Sequence, residues 1–279
     1  MQKLKTLPQK NQAGLIFALF GNPVAQSLSP RMHNRALRFM GIDGYYIPVL
    51  VKDLAGAVAA IRALDMRGVS VTIPFKEAII PLLDKVDADA LCIGSVNTVL
   101  NDGDTLTGFN TDWQGMEAAL VRKMRIAGKR FVLIGSGGTT RAVAFAIKRN
   151  GGEIVVASRN RDRGTTLATK FGCAWIPLSA GEKIEGDVLI NTTPVGMMPR
   201  VDALPVAKNI IHRFKYVVDA VYNPTNTRML RVGKASGAVT ISGVDMFVAQ
   251  GAEQFRIWTG RKPPQRSMRA TVLAALKDR

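Results

Sequence analysis

In the first half of the chain, short polar side chains stand at the ends of apolar runs where they could seat a polyhydroxylated acid. They are Ser27 and Ser29, Thr72 and Lys76, Asn97, and Asn110-Thr111-Asp112. Hydroxyls, an amide, a carboxylate and a lysine match alcohol groups and an acid better than they match an apolar ligand. Taken singly, each has a plainer explanation: Ser29 as a helix cap, Lys76 as a first-turn surface lysine, Asn97 as a turn residue.

Further along, Gly135-Ser136-Gly137-Gly138 and Thr139 follow the apolar run RFVLI and precede a helical pattern. In that context glycines let the backbone turn tightly and approach a pyrophosphate, whose charge meets free N–H groups at the helix start. Thr140 occupies the third glycine position of the usual fingerprint, with Ala142 as the candidate for close helix packing. At the end of the second strand an NAD-binding chain commonly carries Asp or Glu against the ribose hydroxyls. Here Ser158 stands there, followed by Arg159, Asn160, Arg161 and Arg163, which offer charge and planar donors to a 2′-phosphate with no competing carboxylate. NADP is therefore expected over NAD, the alternative being a solvated basic loop.

The elements that must hold these residues follow from periodicity. After a polar stretch of residues 1–12, LIFALF reads as a strand, GNPVAQSLSP as a loop and RMHNRALRFMG as a helix with Ser29 as cap and Pro30 in first place. YYIPVLV, DLAGAVAAIRALD, GVSVTIP and KEAIIPLLD continue as strand, helix, strand, helix, so this half is expected to build a mostly parallel α/β sheet. A long helix is expected from Asp112 to about Ala127. RFVLI, the glycine loop, its helix and EIVVASR then open a doubly wound nucleotide-binding fold, with DVLINTTP and YVVDAVY as further strands and two closing helices in DMFVAQGAEQFRIWTG and MRATVLAALKDR.

Composition narrows the function classes. No apolar stretch approaches a membrane span, and the polar start lacks the apolar segment of a signal peptide, so the cytoplasm is the expected compartment. Two cysteines far apart and two histidines, His33 and His212, give neither a disulfide framework nor a metal site. A formal charge of +17, from 38 basic against 21 acidic residues, suits anionic substrates; without aromatic platforms or a basic tail, nucleic acid is not an expected partner.

Taken together the motifs resemble the shikimate dehydrogenase family from about residue 15 to the last helix. GNPVAQSLSPRMHN is similar to its substrate-carboxylate loop, GVSVTIPFKE to its lysine motif, and IGSVNTV and GFNTDWQG to its next substrate motifs. IGSGGTTRA resembles its phosphate loop, NTTPVGM and DAVYNPTNT its later loops, and SGVDMFVAQGAEQFRIWTG its closing motif. The resemblance implies NADP-dependent reduction of 3-dehydroshikimate to shikimate in aromatic amino acid biosynthesis. It implies Ser27 and Ser29 on the carboxylate with Tyr222 nearby, and Thr72, Asn97, Asp112 and Gln250 on ring hydroxyls. Lys76 and Asp112 would be the catalytic pair, Lys76 giving a proton to the forming alkoxide, with no metal needed. Thr193, Ala220 and Gly243 would lie along the cofactor.

It also implies a substrate domain over 1–112, with 250–279 packing back on it so that Gln250 reaches the substrate, and an NADP-binding domain over 113–249. A monomer or homodimer is expected. Gln26 replaces the usual histidine before the first serine, and Ser70 the usual asparagine two residues before Thr72. Enzymes for quinate or an amino-substituted analogue would keep every catalytic motif, though the two serines of SLS favour shikimate. A dinucleotide-binding regulator without turnover should have lost Lys76 or Asp112, and this chain retains both.

Overall fold

Strands buried on both faces read as unbroken apolar runs, and four such runs in the second half of the chain form the middle of one sheet. The computed structural model describes residues 14–277 apart from Asp104, so the polar stretch 1–12 lies outside the described residues. The chain divides into two compact units: the described residues up to Thr111 with those from Gln250 on, and Asp112–Ala249.

The first unit runs β1 (Leu15–Gly21), α1 (Ser29–Phe39), β2 (Gly44–Leu50), α2 (Leu54–Ala63), β3 (Met66–Val71), β4 (Lys85–Val86), α3 (Ala88–Ile93), β5 (Thr98–Asn101) and β6 (Leu106–Phe109). Its sheet has the order β2-β1-β3-β5-β6-β4, with β5 alone reversed. Ala18 and Phe20 of β1 meet Val69 and Val71 of β3 and Val99 of β5 in its core. Asn34 of α1 acts as a surrogate strand at the β2 edge: its amide donates to Tyr46 O and accepts from Tyr46 N, both at 2.8 Å.

Three local expectations need correction. Leu28, not Ser29, is the cap of α1, and Ser29 is its first residue beside Pro30. KEAIIPLLD forms turns and a single short turn of 3-10 helix at Ile80–Leu82, because Pro81 has no N–H to donate and its ring opposes a continuing α-helix. The long helix expected to Ala127 stops at Val121. Beyond it Met124 and Ile126 are buried two residues apart, an extended rather than helical spacing.

The second unit runs α4 (Asp112–Val121), β7 (Arg130–Ile134), α5 (Gly138–Arg149), β8 (Glu153–Ser158), α6 (Arg161–Phe171), β9 (Ala174–Pro177), β10 (Val188–Asn191), α7 (Lys208–Ile211), β11 (Tyr216–Asp219), α8 (Arg228–Ala235) and β12 (Val239–Ile241). The order is β12-β11-β10-β7-β8-β9, every ladder parallel, which is the doubly wound arrangement with its direction reversing between β7 and β10. Phe131 and Leu133 pack on one face with Ile154, Val156 and Ile190, and Val132 and Ile134 on the other with Val155, Ala157 and Leu189. Both faces are buried, which is why these strands lack polar alternation.

α9 (Gly243–Thr259) starts in the second unit and ends in the first, followed there by α10 (Gln265–Lys277). In the first unit the fully buried Trp258 fixes the end of α9, its indole N–H donating to Val99 O at 2.9 Å and its ring 5.4 Å from that of Phe17. Among the described residues no helix is long and apolar enough to cross a membrane.

Candidate active site

The polar residues of the first unit gather because the loops after β1 and β3 run side by side. Thr72 N donates to Phe20 O at 2.9 Å, and Asn22 N to Ile73 O at 2.9 Å. On the first loop, Ser27 Oγ accepts from Ser29 N at 3.2 Å; Ser29 is buried and Ser27 half-buried. On the second, Lys76 is half-buried and its carbonyl accepts from Val96 N at 2.8 Å, which sets the lysine beside the segment entering β5.

Asn97 is the hub of that segment. Its backbone joins Val71 and Phe109, and its side-chain oxygen accepts from Thr111 N at 2.8 Å and from Thr98 Oγ1 at 2.7 Å. Its side-chain nitrogen donates to Thr111 Oγ1 at 3.0 Å and stands 3.5 Å from Gln250 Oε1. Asn110 is tied to Ser95 O at 2.8 Å, so Asn110-Thr111 is fixed on both sides, and Asp112, buried, follows as the first residue of α4. Thr72, Lys76, Asn97 and Gln250 are thus gathered within the first unit, with Ser27 and Ser29 on the adjoining loop.

The second unit gathers a different set at the carboxyl ends of β7, β10 and β11, where a doubly wound sheet presents ligands at its switch point. Gly135 has φ +129°, a conformation open to glycine, and leads into α5, whose first residues are Gly138 and Thr139. A Cβ on Gly137 would meet nothing within 4 Å, so the space over the loop is open where a phosphate would approach. The threonine at the third glycine position has a structural use. Thr140, fully buried, accepts from Gly137 N at 3.2 Å and lies 2.7 Å from Thr192 Oγ1, clasping the glycine loop to the loop after β10. Ala142 is fully buried as well. The loop therefore fits a dinucleotide pyrophosphate: Ser136, Gly138 and Thr139 would hold it at the start of a twelve-residue helix.

At the end of β8, Ser158 is buried and its hydroxyl is used internally, donating to Asn160 O and accepting from Trp175 Nε1, both at 2.9 Å. Asn160 caps α6 by accepting from Arg163 N at 2.9 Å. Arg159, Arg161 and Arg163 are exposed, the Arg161 guanidinium 6.0 Å over the Trp175 ring. One carboxylate does stand in this segment: Asp162, in the first turn of α6, where the helix dipole favours it.

Beneath the loops lies a network that the motif reading passed over. Asn191 and Asp219 are register partners at the ends of β10 and β11 and share a hydrogen bond of 2.9 Å. Asp219, almost fully buried, also accepts from Val221 N at 3.0 Å and Thr227 Oγ1 at 2.6 Å. Burial pushes its carboxyl up to about 7, against the pull of the bonds from Thr227, Val221 and Asn191. The other oxygen-rich end, Asn191 Oδ1, accepts from Thr193 N and Oγ1, so Thr193 is held by the same pair. Their polar type at the ends of apolar runs was the available signal. Gly243 brings α9 against this loop, since a Cβ there would lie 2.5 Å from Ala220 O and from Val221 O. Tyr222 stacks on Phe247 with ring centroids 4.1 Å apart. Ala220, Tyr222 and Gly243 thus form one neighbourhood.

Three comparisons bear on this arrangement. Residues 19–99 match the family described as shikimate dehydrogenase substrate binding domain, 243–273 the shikimate 5'-dehydrogenase C-terminal domain, and 130–222 the family described as NADP oxidoreductase coenzyme F420-dependent. The chain is 44% identical over 269 residues to a shikimate dehydrogenase (NADP(+)) of Moorella thermoacetica, covering 91% of each. It is 42% identical to that of Methanosarcina mazei, over 94% of this chain and 99% of the relative. Its fold matches the crystal structure of a Thermus thermophilus shikimate 5-dehydrogenase in complex with NADP(H) and shikimate, with a TM-score of 0.86, 39% identity, and 94% of this chain and 100% of that one covered.

Proposed function

The chain belongs to the shikimate dehydrogenase family, and we infer from that membership that it catalyses the NADP-dependent, reversible reduction of 3-dehydroshikimate to shikimate, a step of aromatic amino acid biosynthesis. The observation that carries this reading is 44% identity over 91% of the chain to a relative named for NADP(+), combined with Lys76, Asp112, Asn97 and Gln250 all present in their motifs.

Within this reading Ser27 and Ser29 hold the substrate carboxylate with Tyr222 nearby, and Thr72, Asn97 and Gln250 bind ring hydroxyls. The loop 135–139 holds the pyrophosphate, Arg159 and Arg163 the 2′-phosphate, and Thr193, Ala220 and Gly243 flank the nicotinamide. Ser158, its hydroxyl spoken for, serves by shaping the loop that carries Arg159 and Asn160. When bound, the cofactor supplies or accepts the hydride. Lys76 passes a proton to the oxygen of the reduced carbon, and Asp112 hydrogen-bonds that hydroxyl and orients the lysine. The substrate-binding role falls to the first unit and the NADP-binding role to the second. The same reading makes it a cytoplasmic enzyme acting as a monomer or homodimer.

Lys76→Ala tests the assignment. A lysine that moves the proton contributes mainly in the transition state, so kcat should fall by about 10²-fold or more while the shikimate KM changes far less. A variant with wild-type kcat removes Lys76 from the chemistry and leaves Asp112 as the candidate.

A further inference from the structure

In the first unit the side chains behind Asn97 form a continuous buried chain, and the direction of its hydrogen bonds follows from one backbone carbonyl and the single proton of each hydroxyl. Gln254, 2% exposed, sends its Nε2 to the Asn97 carbonyl at 3.0 Å; a carbonyl only accepts, so the Gln254 nitrogen faces β5 and its oxygen faces away. That nitrogen also donates to Thr98 Oγ1 at 3.0 Å, which leaves the single Thr98 proton for Asn97 Oδ1 at 2.7 Å. On the other side, Gln254 Oε1 takes the Ser70 proton at 2.9 Å, and Ser70 in turn accepts from the Tyr46 hydroxyl at 2.7 Å. Thr111 N independently donates to the same Asn97 oxygen at 2.8 Å.

We propose that Tyr46, Ser70, Gln254 and Thr98 form a one-way hydrogen-bond relay that, together with the Thr111 N–H, fills both acceptor positions of the Asn97 side-chain oxygen, so that Asn97 meets a ring hydroxyl of the substrate only as a donor. Thr98, Gln254 and Ser70 are then positioning residues for substrate specificity. The inference rests on the binding role assigned to Asn97 above. It gives a use to Ser70, where the family usually has asparagine: a single hydroxyl, accepting from Tyr46 and donating to Gln254, keeps the chain running in one direction. A ligand whose group at that position cannot accept a hydrogen bond has no partner in Asn97.

The experiment compares Thr98→Val, Thr98→Ser and Ser70→Ala with the wild type, measuring kcat, the KM for shikimate, the KM for NADP and the thermal midpoint. Val removes the hydroxyl at nearly constant volume, so the shikimate KM should rise by about 5- to 10-fold, the worth of one hydrogen bond, with kcat and the NADP KM moving less than about twofold. Thr98→Ser should restore the wild-type KM, and Ser70→Ala, at the far end of the relay, should raise it by a smaller factor. If Thr98→Val does not fold, Ser70→Ala carries the test alone. A lowered midpoint with an unmoved shikimate KM in the folded variants overturns the relay and leaves these residues structural. Absence of shikimate turnover by the wild type overturns both the relay and the reading on which it rests.

Discussion

Gly243→Ala adds one methyl group at the point where α9 meets the loop after β11, and the structure fixes what that methyl encounters. The new Cβ would sit 2.5 Å from Ala220 O, 2.5 Å from Val221 O and 2.6 Å from Val221 C. Ordinary contact begins near 3.4 Å, so helix and loop must part by about 0.9 Å, the difference between 3.4 and 2.5. The obstructing atoms are backbone, and that backbone is pinned: Ala220 N donates to Asn191 O at 2.9 Å and Val221 N to Asp219 Oδ1 at 3.0 Å. Overpacking of this kind costs about 1–3 kcal/mol. At roughly 2–4 °C per kcal/mol for a body of this size, the thermal midpoint should fall by about 2–12 °C. With Ala220 and Gly243 along the nicotinamide as proposed, displacement by nearly 1 Å should also lower kcat by about 10- to 100-fold. Calorimetry and steady-state NADPH absorbance check the two effects. A variant with wild-type midpoint and wild-type kcat would refute both the close packing and the placement of Ala220 and Gly243 along the nicotinamide.

Replacing Arg159 with alanine should raise the KM for NADP by about 5- to 150-fold, the equivalent of roughly 1–3 kcal/mol, and leave that for NAD nearly unchanged; equal losses for both cofactors would show that Arg159 does not read the 2′-phosphate. His33 is fully buried, stacked 4.5 Å from Tyr46, and burial drives its imidazole down to about 3, offset in part by the neighbouring Gln254 amide. Its native value lies below the ordinary 6.5, so unfolded chains bind a proton that folded ones refuse: the stability contribution is complete above pH 6.5 and is lost as pH falls toward 3, by up to about 1.4 kcal/mol per unit. Asp219, raised to about 7, acts in the opposite sense, favouring the folded state at low pH and losing that advantage as pH rises from about 4 to 7. Urea unfolding of His33→Phe against wild type from pH 7 to 4 should therefore show a shallower acid loss in the variant, and parallel curves would contradict the buried neutral histidine.

The second unit was legible because its strands are buried on both faces and announce themselves as apolar runs bounded by polar loops; RFVLI, EIVVAS, VLIN and YVVD fall where expected. β4, β5 and β6, and β9 and β12 of the second unit, escaped notice: each is two to four residues long, and none carries the three successive large apolar residues that marked the equally short β10 and β11. The region 76–84 looked helical by composition, and only the single proline at 81 argued otherwise. Motifs named the candidate site residues, yet the groups packed behind them, Asn191, Asp219, Thr227, Thr98 and Gln254, make their contacts across distant segments. Nothing in local spacing marks such partners, apart from polar side chains standing where burial is expected. Arg67 is a similar case: its guanidinium joins Trp258 O to Asn101 O, ends of elements far apart in sequence.

The most direct test is a set of initial rates on the purified protein with NADP and with NAD, each against shikimate, quinate and aminoshikimate. Shikimate with NADP should give the highest kcat/KM of the six pairs, with quinate and aminoshikimate poor under either cofactor. A higher kcat/KM for quinate or aminoshikimate, or for NAD with shikimate, would contradict the assignment of this chain as an NADP-dependent shikimate dehydrogenase.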